Sequence, residues 1–289
     1  MAGLTPAASK TPDNPSKQIG PAGLLRKLWL LSLLLLFYPS PSKAVPAFQQ
    51  ICSNGRASGA GTLSCNLTIA ANHFFAAAVQ CYAGCQLLPG AGFNDTFGLT
   101  WNLLSKCSFH LGGPSNQNTM LLWALSGSNS GSDTFTVTGP VSGVGETVIF
   151  VAEYSGVKNS LPLDGENCGT GAGGTPSSGN FTTTVTGDLI VGLADTGPAT
   201  TAGASFTQRA TQLLGAYIFE DKIAGAPGTY DANYTAGPTG WLVNGAAFLA
   251  ATPKIRIRAQ VIRYRTAKRS KVLLANVRGS EMVSETQRK

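Results

Sequence analysis

At 289 residues, with 12% charged side chains and 35 glycines, the chain has room for one sizeable core and excludes a helical or coiled-coil architecture, which draws on Glu, Lys and Leu. The net charge of +7 is unevenly placed: residues 251–289 hold eleven Lys and Arg against Glu281 and Glu285, a net +9, whereas residues 45–250 hold five basic and eleven acidic residues, a net −6. That partition excludes a body built to bind a specific nucleic acid, because a polyanion receptor needs its basic residues on the folded surface.

Residues 1–23 are polar and contain Pro6, Pro12, Pro15 and Pro21. Arg26-Lys27 then precede the apolar run Leu28–Tyr38. The run has the length of a signal-peptide core and falls short of the ~20 residues that cross a bilayer. Pro39 and Pro41 stop a helix there. Ser42-Lys43-Ala44 puts small residues at the two positions that a signal peptidase inspects. The expectation is a signal peptide with a polar extension over residues 1–44, cleaved after Ala44, and a secreted or cell-surface product. An uncleaved anchor is the alternative. Membrane contact is expected through this segment alone.

Six cysteines follow: Cys52, Cys65, Cys81, Cys85, Cys107 and Cys168. An even count in an exported chain predicts disulfides, with fifteen pairings open in principle. Proximity in sequence favours Cys52 with Cys65 and Cys81 with Cys85, leaving Cys107 with Cys168. Zinc needs four ligands at short paired spacings; Cys81 and Cys85 form half of such a motif with no second half, so no metal and no cofactor are expected.

From about residue 60, strand-like runs alternate with Gly, Pro, Asn and Asp clusters. The predicted strands are Leu63–Ile69, His73–Gln80, Thr96–Leu104, Thr119–Leu125, Thr134–Thr138, Thr147–Tyr154, Asn180–Thr184, Leu189–Ala194, Ala204–Thr211, Ala216–Ile223, Thr229–Thr235 and Trp241–Leu249. Nearly all of Thr147–Val151 is apolar, which predicts a central strand. No segment of the body shows helical periodicity with caps.

The stretch Val151-Ala152-Glu153-Tyr154-Ser155-Gly156-Val157, followed by Pro162-Leu163-Asp164, forms one signature. Gly179-Asn180-Phe181-Thr182-Thr183-Thr184, leading into Gly187-Asp188-Leu189-Ile190-Val191-Gly192, forms another. With Glu220-Asp221-Lys222 and the closing run Trp241–Phe248, they resemble a loose group of exported, mostly uncharacterised bacterial β-sandwich domains of jelly-roll type. Members of that group occur beside adhesion or carbohydrate-active modules. The resemblance covers roughly residues 60–250 and implies an all-β, antiparallel two-sheet sandwich over 45–250. It brings no catalytic residue set, and the cysteines and basic tail are not features of the group.

Chemistry rests on few residues. A glycosidase needs two carboxyls ~5–10 Å apart across a bond. Glu153, at the end of a strong strand, with Glu220 or Asp221 would serve only if the fold brings them together; the competing expectation is that Glu153 pairs with a buried donor and that Glu220-Asp221 lie on a solvated face. His73 and His110 are the only histidines, and no G-x-S-x-G elbow occurs. Gly169–Gly174 superficially has the composition of a phosphate loop but opens no helix, so a surface loop is expected. Sugar-binding sandwiches stack a flat side chain on the apolar face of the ring. Trp123 and Trp241 are expected in the core, which leaves Tyr230 and Tyr234, in a polar stretch, as the exposed candidates. Asn66, Asn94, Asn180 and Asn233 begin N-x-T sequons, which would be glycan sites in a eukaryotic secretory protein; the resemblance to bacterial domains implies instead that they arise by chance in a Thr-rich chain.

The leading expectation is a non-catalytic sandwich module for surface adhesion or extracellular binding, to glycan or another cell-surface polymer. The alternatives are a secreted carbohydrate-active enzyme and a structural surface protein without a ligand. For the tail, residues 251–289, the expectation is disorder or partial structure, with either disorder or a stray helix over Lys271–Val277.

Overall fold

The computed structural model describes residues 44–59, 61–81, 92–110, 116–138, 145–197, 200–235 and 240–252, and four short strands between 264 and 285; the side chains of 81, 105–110, 116–118 and the tail strands lie outside the description. In chain order the first strands are β1 (Ala47–Arg56), β2 (Thr62–Ile69), β3 (Phe74–Cys81), β4 (Phe93–Asp95), β5 (Asn102–His110), β6 (Asn116–Leu125), β7 (Gly131–Thr138) and β8 (Thr147–Ser155). They continue with β9 (Leu163–Gly171), β10 (Phe181–Thr183), β11 (Leu189–Asp195), β12 (Thr201–Ala202), β13 (Thr207–Gln212), β14 (Tyr217–Ile223), β15 (Gly228–Tyr230), β16 (Tyr234–Thr235) and β17 (Trp241–Phe248).

The body is an all-β sandwich in which the strands of every sheet pair antiparallel. Sheet I has the order β1-β8-β3-β6-β5, sheet II the order β2-β7-β4, and sheet III the order β13-β14-β11-β17-β9. Sheets I and III are the two broad layers expected, and sheet II adds a third. Jelly-roll connectivity, in which successive strands alternate between facing sheets, is not confirmed by these orders: sheet III draws only on residues 163–248, and sheets I and II only on 47–155.

Sequence composition explains the layering. β2 buries Leu63, Cys65, Leu67 and Ile69 and exposes the Thr, Ser and Asn between them, the alternation of a sheet with one wet face. β3 (FFAAAVQC) and β8 (TVIFVAEYS) are apolar on both faces and buried on both. Sheet I is therefore the middle layer. Phe75, Val79, Ile149 and Val151 meet Phe135 and Val137 of sheet II, while Phe74, Phe150 and Tyr154 meet Leu193, Phe219 and Phe248 of sheet III. Truncating one of these buried phenylalanines to Ala costs about 3–5 kcal/mol.

The outer face of sheet III is also covered, by segments around 176–183 and 228–235, including the short pairs β10-β15 and β12-β16. Glycines of the sheet make room for them: a Cβ on Gly192 would stand 2.6 Å from the Tyr234 hydroxyl, and one on Gly245 2.7 Å from Ser178 Oγ. The open edges are managed too. β1 packs beside β13, and β5 beside β9, so the edges of sheets I and III meet on both sides.

Four body strands were absent from the sequence-based expectation: the short β4 and β12, and the long β1 and β9. β1 is rich in Gln, Ser and Asn, and β9 contains Gly165, Gly169 and Gly171, so both read as loop. Gly169–Gly171, expected in a surface loop, pair with Trp241–Val243 of β17. Conversely, 96–101, expected as strand, forms a turn, because the Asp95 carboxylate accepts the Leu99 N–H and the Trp101 indole N–H.

Cys52 and Cys65 are joined by a disulfide, as proximity suggested. Cys168 is disulfide-bonded as well, and no described cysteine is free. The expected Cys81–Cys85 pairing, and the side chain of Cys107, lie outside the described residues, as do residues 1–43, where the signal peptide is expected. In the tail, Tyr264–Thr266 pairs with Arg269–Lys271, and Leu274–Arg278 with Glu281–Glu285. The stretch expected as disorder or a stray helix is thus strand at both of its described ends, consistent with the β-branched and alternating residues there.

Candidate functional site

Two edge strands carry a bulge at the same place. In β1 the register slips between Phe48 and Gln50, opposite Tyr154 and Glu153 of β8. In β13 it slips between Gln208 and Ala210, opposite Glu220 and Phe219 of β14, so Arg209 is the extra residue. Bulges re-aim side chains and recur beside functional sites. Here they turn Phe48 and Arg209 toward each other across the seam where sheets I and III meet.

The result is a cleft of about 200 Å³. Its floor is buried: Tyr154, Asp221 and Leu189. Phe48 stands edge-on to Tyr154, with ring centroids 5.8 Å apart. The Arg209 guanidinium lies 4.1 Å over the Phe48 ring. Arg209 Nε donates to Asp221 Oδ2 at 2.8 Å, and the Tyr154 hydroxyl donates to the same oxygen at 2.7 Å. Burial first, and then the Asp221 charge and hydrogen bond, raise the Tyr154 pKa well above its ordinary value, so this phenol stays protonated. The Arg209 side chain is 26% exposed, and its terminal nitrogens have no hydrogen-bond partner among the described residues. Exposed Ser205 and Thr207 form the rim. Ser205 has a φ of +68°, a left-handed conformation unusual for a side-chain-bearing residue, in a turn closed by the Phe206 N–H to Gly203 carbonyl bond.

The fold separates the carboxylates proposed from sequence into three layers. Glu153 is buried on the sheet II face of sheet I, where it accepts the Ala70 N–H at 2.8 Å, contacts His73 Nδ1 at 2.8 Å and is bound by the Gln50 amide. Asp221 lies between sheets I and III. Glu220, next to it in sequence, is wholly buried on the opposite face of sheet III, where Glu220 Oε2 accepts the Gly203 N–H at 2.9 Å. The catalytic pairing of Glu153 with Glu220 or Asp221 is therefore not formed, and Glu220-Asp221 is not on a solvated face: alternation along β14 sends the two side chains into different cores.

Glu220 Oε1 and the Tyr234 hydroxyl are both buried without a hydrogen bond of good geometry. Burial, opposed by the Gly203 hydrogen bond, pushes Glu220 up to about 8. The proposed sugar platform at Tyr234 is corrected by the same observation, since that ring is 1% exposed and lies over Gly192 in the core. Tyr230 is half-buried, donates to the Ala226 carbonyl at 2.7 Å, and has the Lys222 ammonium 5.2 Å from its ring. Trp241 is buried as expected, whereas Trp123 is half-buried against the core.

The fold does bring Asp164 beside Asp188, one from each signature. Asp188 is wholly buried and accepts the Ala250 N–H at 3.0 Å, while Asp164 accepts the Thr184 hydroxyl at 2.6 Å. Burial, with Asp164 as a near neighbour, pushes Asp188 to about 6. Asp188 takes the backbone N–H groups of Ala250 and Val185, and the half-buried Asp164 takes the N–H and hydroxyl of Thr184, so this pair ties loops together.

Sequence reasoning missed Arg209, Phe48 and Tyr154 as a group. A usable signal was present: Arg209 is one of only five basic residues in a body with eleven acidic ones, set among strand-forming Thr residues. Among the described residues no group of acidic, His and Cys side chains is arranged to hold a metal ion. No protein-family model, curated protein or solved structure matches the chain.

Proposed function

We propose that the chain is an exported, non-catalytic β-sandwich module for surface adhesion or extracellular binding, and that its ligand is a glycan held in the Arg209 cleft. The observation that carries this reading is the pair of bulges that opens the seam of sheets I and III and aims into it a guanidinium whose terminal nitrogens have no partner among the described residues. The cleft has the scale of a single pyranose ring. Its lining mixes an aromatic ring, apolar walls and hydroxyls, the combination that sugar recognition uses.

The non-catalytic part rests on the carboxylates. Asp221 is committed to Arg209 and Tyr154, and neither Glu153 nor Glu220 shares its cleft. Export is supported by the signal-like segment in the sequence and by the Cys52–Cys65 bridge, which suits an oxidising compartment. A glycan-array screen of the full chain, run beside a reducing-end release assay on the same polysaccharides, tests the reading. Binding without release is expected. Release of new reducing ends would replace it with the enzyme reading, and silence in both assays with the structural one.

A further inference from the structure

Resting on that reading, we propose that the cleft selects acidic saccharides, with a ring carboxylate seated on the terminal nitrogens of Arg209. Asp221 uses only the Nε side of the guanidinium. The remaining fork of N–H donors matches the two oxygens of a carboxylate, a geometry that Lys cannot reproduce. The Phe48 ring 4.1 Å from the guanidinium supports one side of it, and the 2.8 Å bond to Asp221 keeps it from swinging away. The fork is thus held in place before a ligand arrives, which reduces the ordering cost of binding.

Charge points the same way. Within a body of net −6, the cleft holds the guanidinium of Arg209, one of the five basic residues, against Asp221. Lys222 lines the cleft beside Asp221, but its ammonium turns to the outer face of sheet III, 4.0 Å from the Phe206 ring and near Glu220 and Asp231. The remaining contacts fit the rest of a sugar. Ser205 and Thr207 offer hydroxyls at the rim, and Ile223, 41% exposed, offers an apolar edge to the face of the ring. A neutral sugar in the same place would leave the fork facing no charge.

The test compares three probes on the full chain by calorimetry: a galacturonate tetramer, its methyl ester and a glucuronate tetramer. The ester keeps skeleton and linkage and removes the charge. The acid is expected to bind at least tenfold more tightly than the ester, and R209K to abolish most of that preference. T207V leaves the Arg209–Asp221 pair intact and guards against misfolding as the cause; it is expected to weaken all bound probes a few-fold while keeping the preference for acid. A glucuronate tetramer that binds like the galacturonate assigns the shared carboxylate, and one that fails assigns the galacturonate ring. Equal affinity for acid and ester overturns the carboxylate assignment and leaves the glycan module standing. Binding of neither tetramer, by a chain that also captures nothing on a glycan array, overturns both.

Discussion

Glu220 and Asp221 are consecutive in β14, yet one is buried beneath Tyr234 on the outer face of sheet III and the other joins Arg209 and Tyr154 in the cleft. Removing the charge of each has a different expected outcome. D221N removes the negative charge and turns one of the two acceptor oxygens into a donor amide, so the Arg209 guanidinium and the Tyr154 hydroxyl lose their charged acceptor, at a cost of about 2–3 kcal/mol in unfolding free energy. Urea melts of the variant measure it. A change under half of that would mean that the pair is a surface contact of little weight.

Glu220 gives a pH dependence whose sign is fixed by its shift. Held at about 8 in the fold against 4.5 ordinarily, it stays protonated at neutral pH while the unfolded chain ionises it. Its contribution to stability is full below pH 4.5 and is lost as pH rises through about 8. Asp195, also pushed to about 8 by burial, acts in the same direction. E220Q mimics the protonated form. It should match the parent at pH 4 and exceed it in stability at pH 9, as read from the denaturant midpoint. Equal pH slopes for the two proteins would show that Glu220 is ionised in the fold.

The sandwich class was legible because the strands of the middle layer carry unmistakable runs, such as Phe74–Val79 and Val148–Ala152. The cleft was not. It depends on two bulges, and a bulge changes which face a residue serves without leaving a mark in the hydrophobic pattern. Tyr234 misled for a related reason: its polar neighbours suggested exposure, but the glycine opposite it at Gly192 opens the space that buries it. That complementarity lies 42 positions away in the chain and has no local signature.

Disulfide mapping checks the staples of the fold. Non-reducing peptide mass spectrometry of the secreted product should show an N-terminus at Val45, the Cys52–Cys65 link, and Cys168 joined to Cys107, since β9 and β5 pack side by side. Replacing Cys52 and Cys65 together with Ala should cost about 2–5 kcal/mol. A free thiol at Cys168 would contradict the second link.

The tail should be dispensable for the fold. Among the described residues, the last tie of the body that a chain starting at Val45 retains is the Ala251 N–H to the Gly156 carbonyl. Truncation after Ala251 keeps it and should move Tm by no more than about 2 °C. A fall of many degrees would place the tail in the folded unit.

Amide chemical-shift mapping of the full chain during titration with an acidic oligosaccharide tests the central claim most directly. The account predicts perturbations centred on Phe48, Ser205, Thr207, Arg209 and Lys222, with the saccharide recovered intact. Perturbations centred on Glu153 or Glu220 instead, or cleavage of the saccharide, would contradict it.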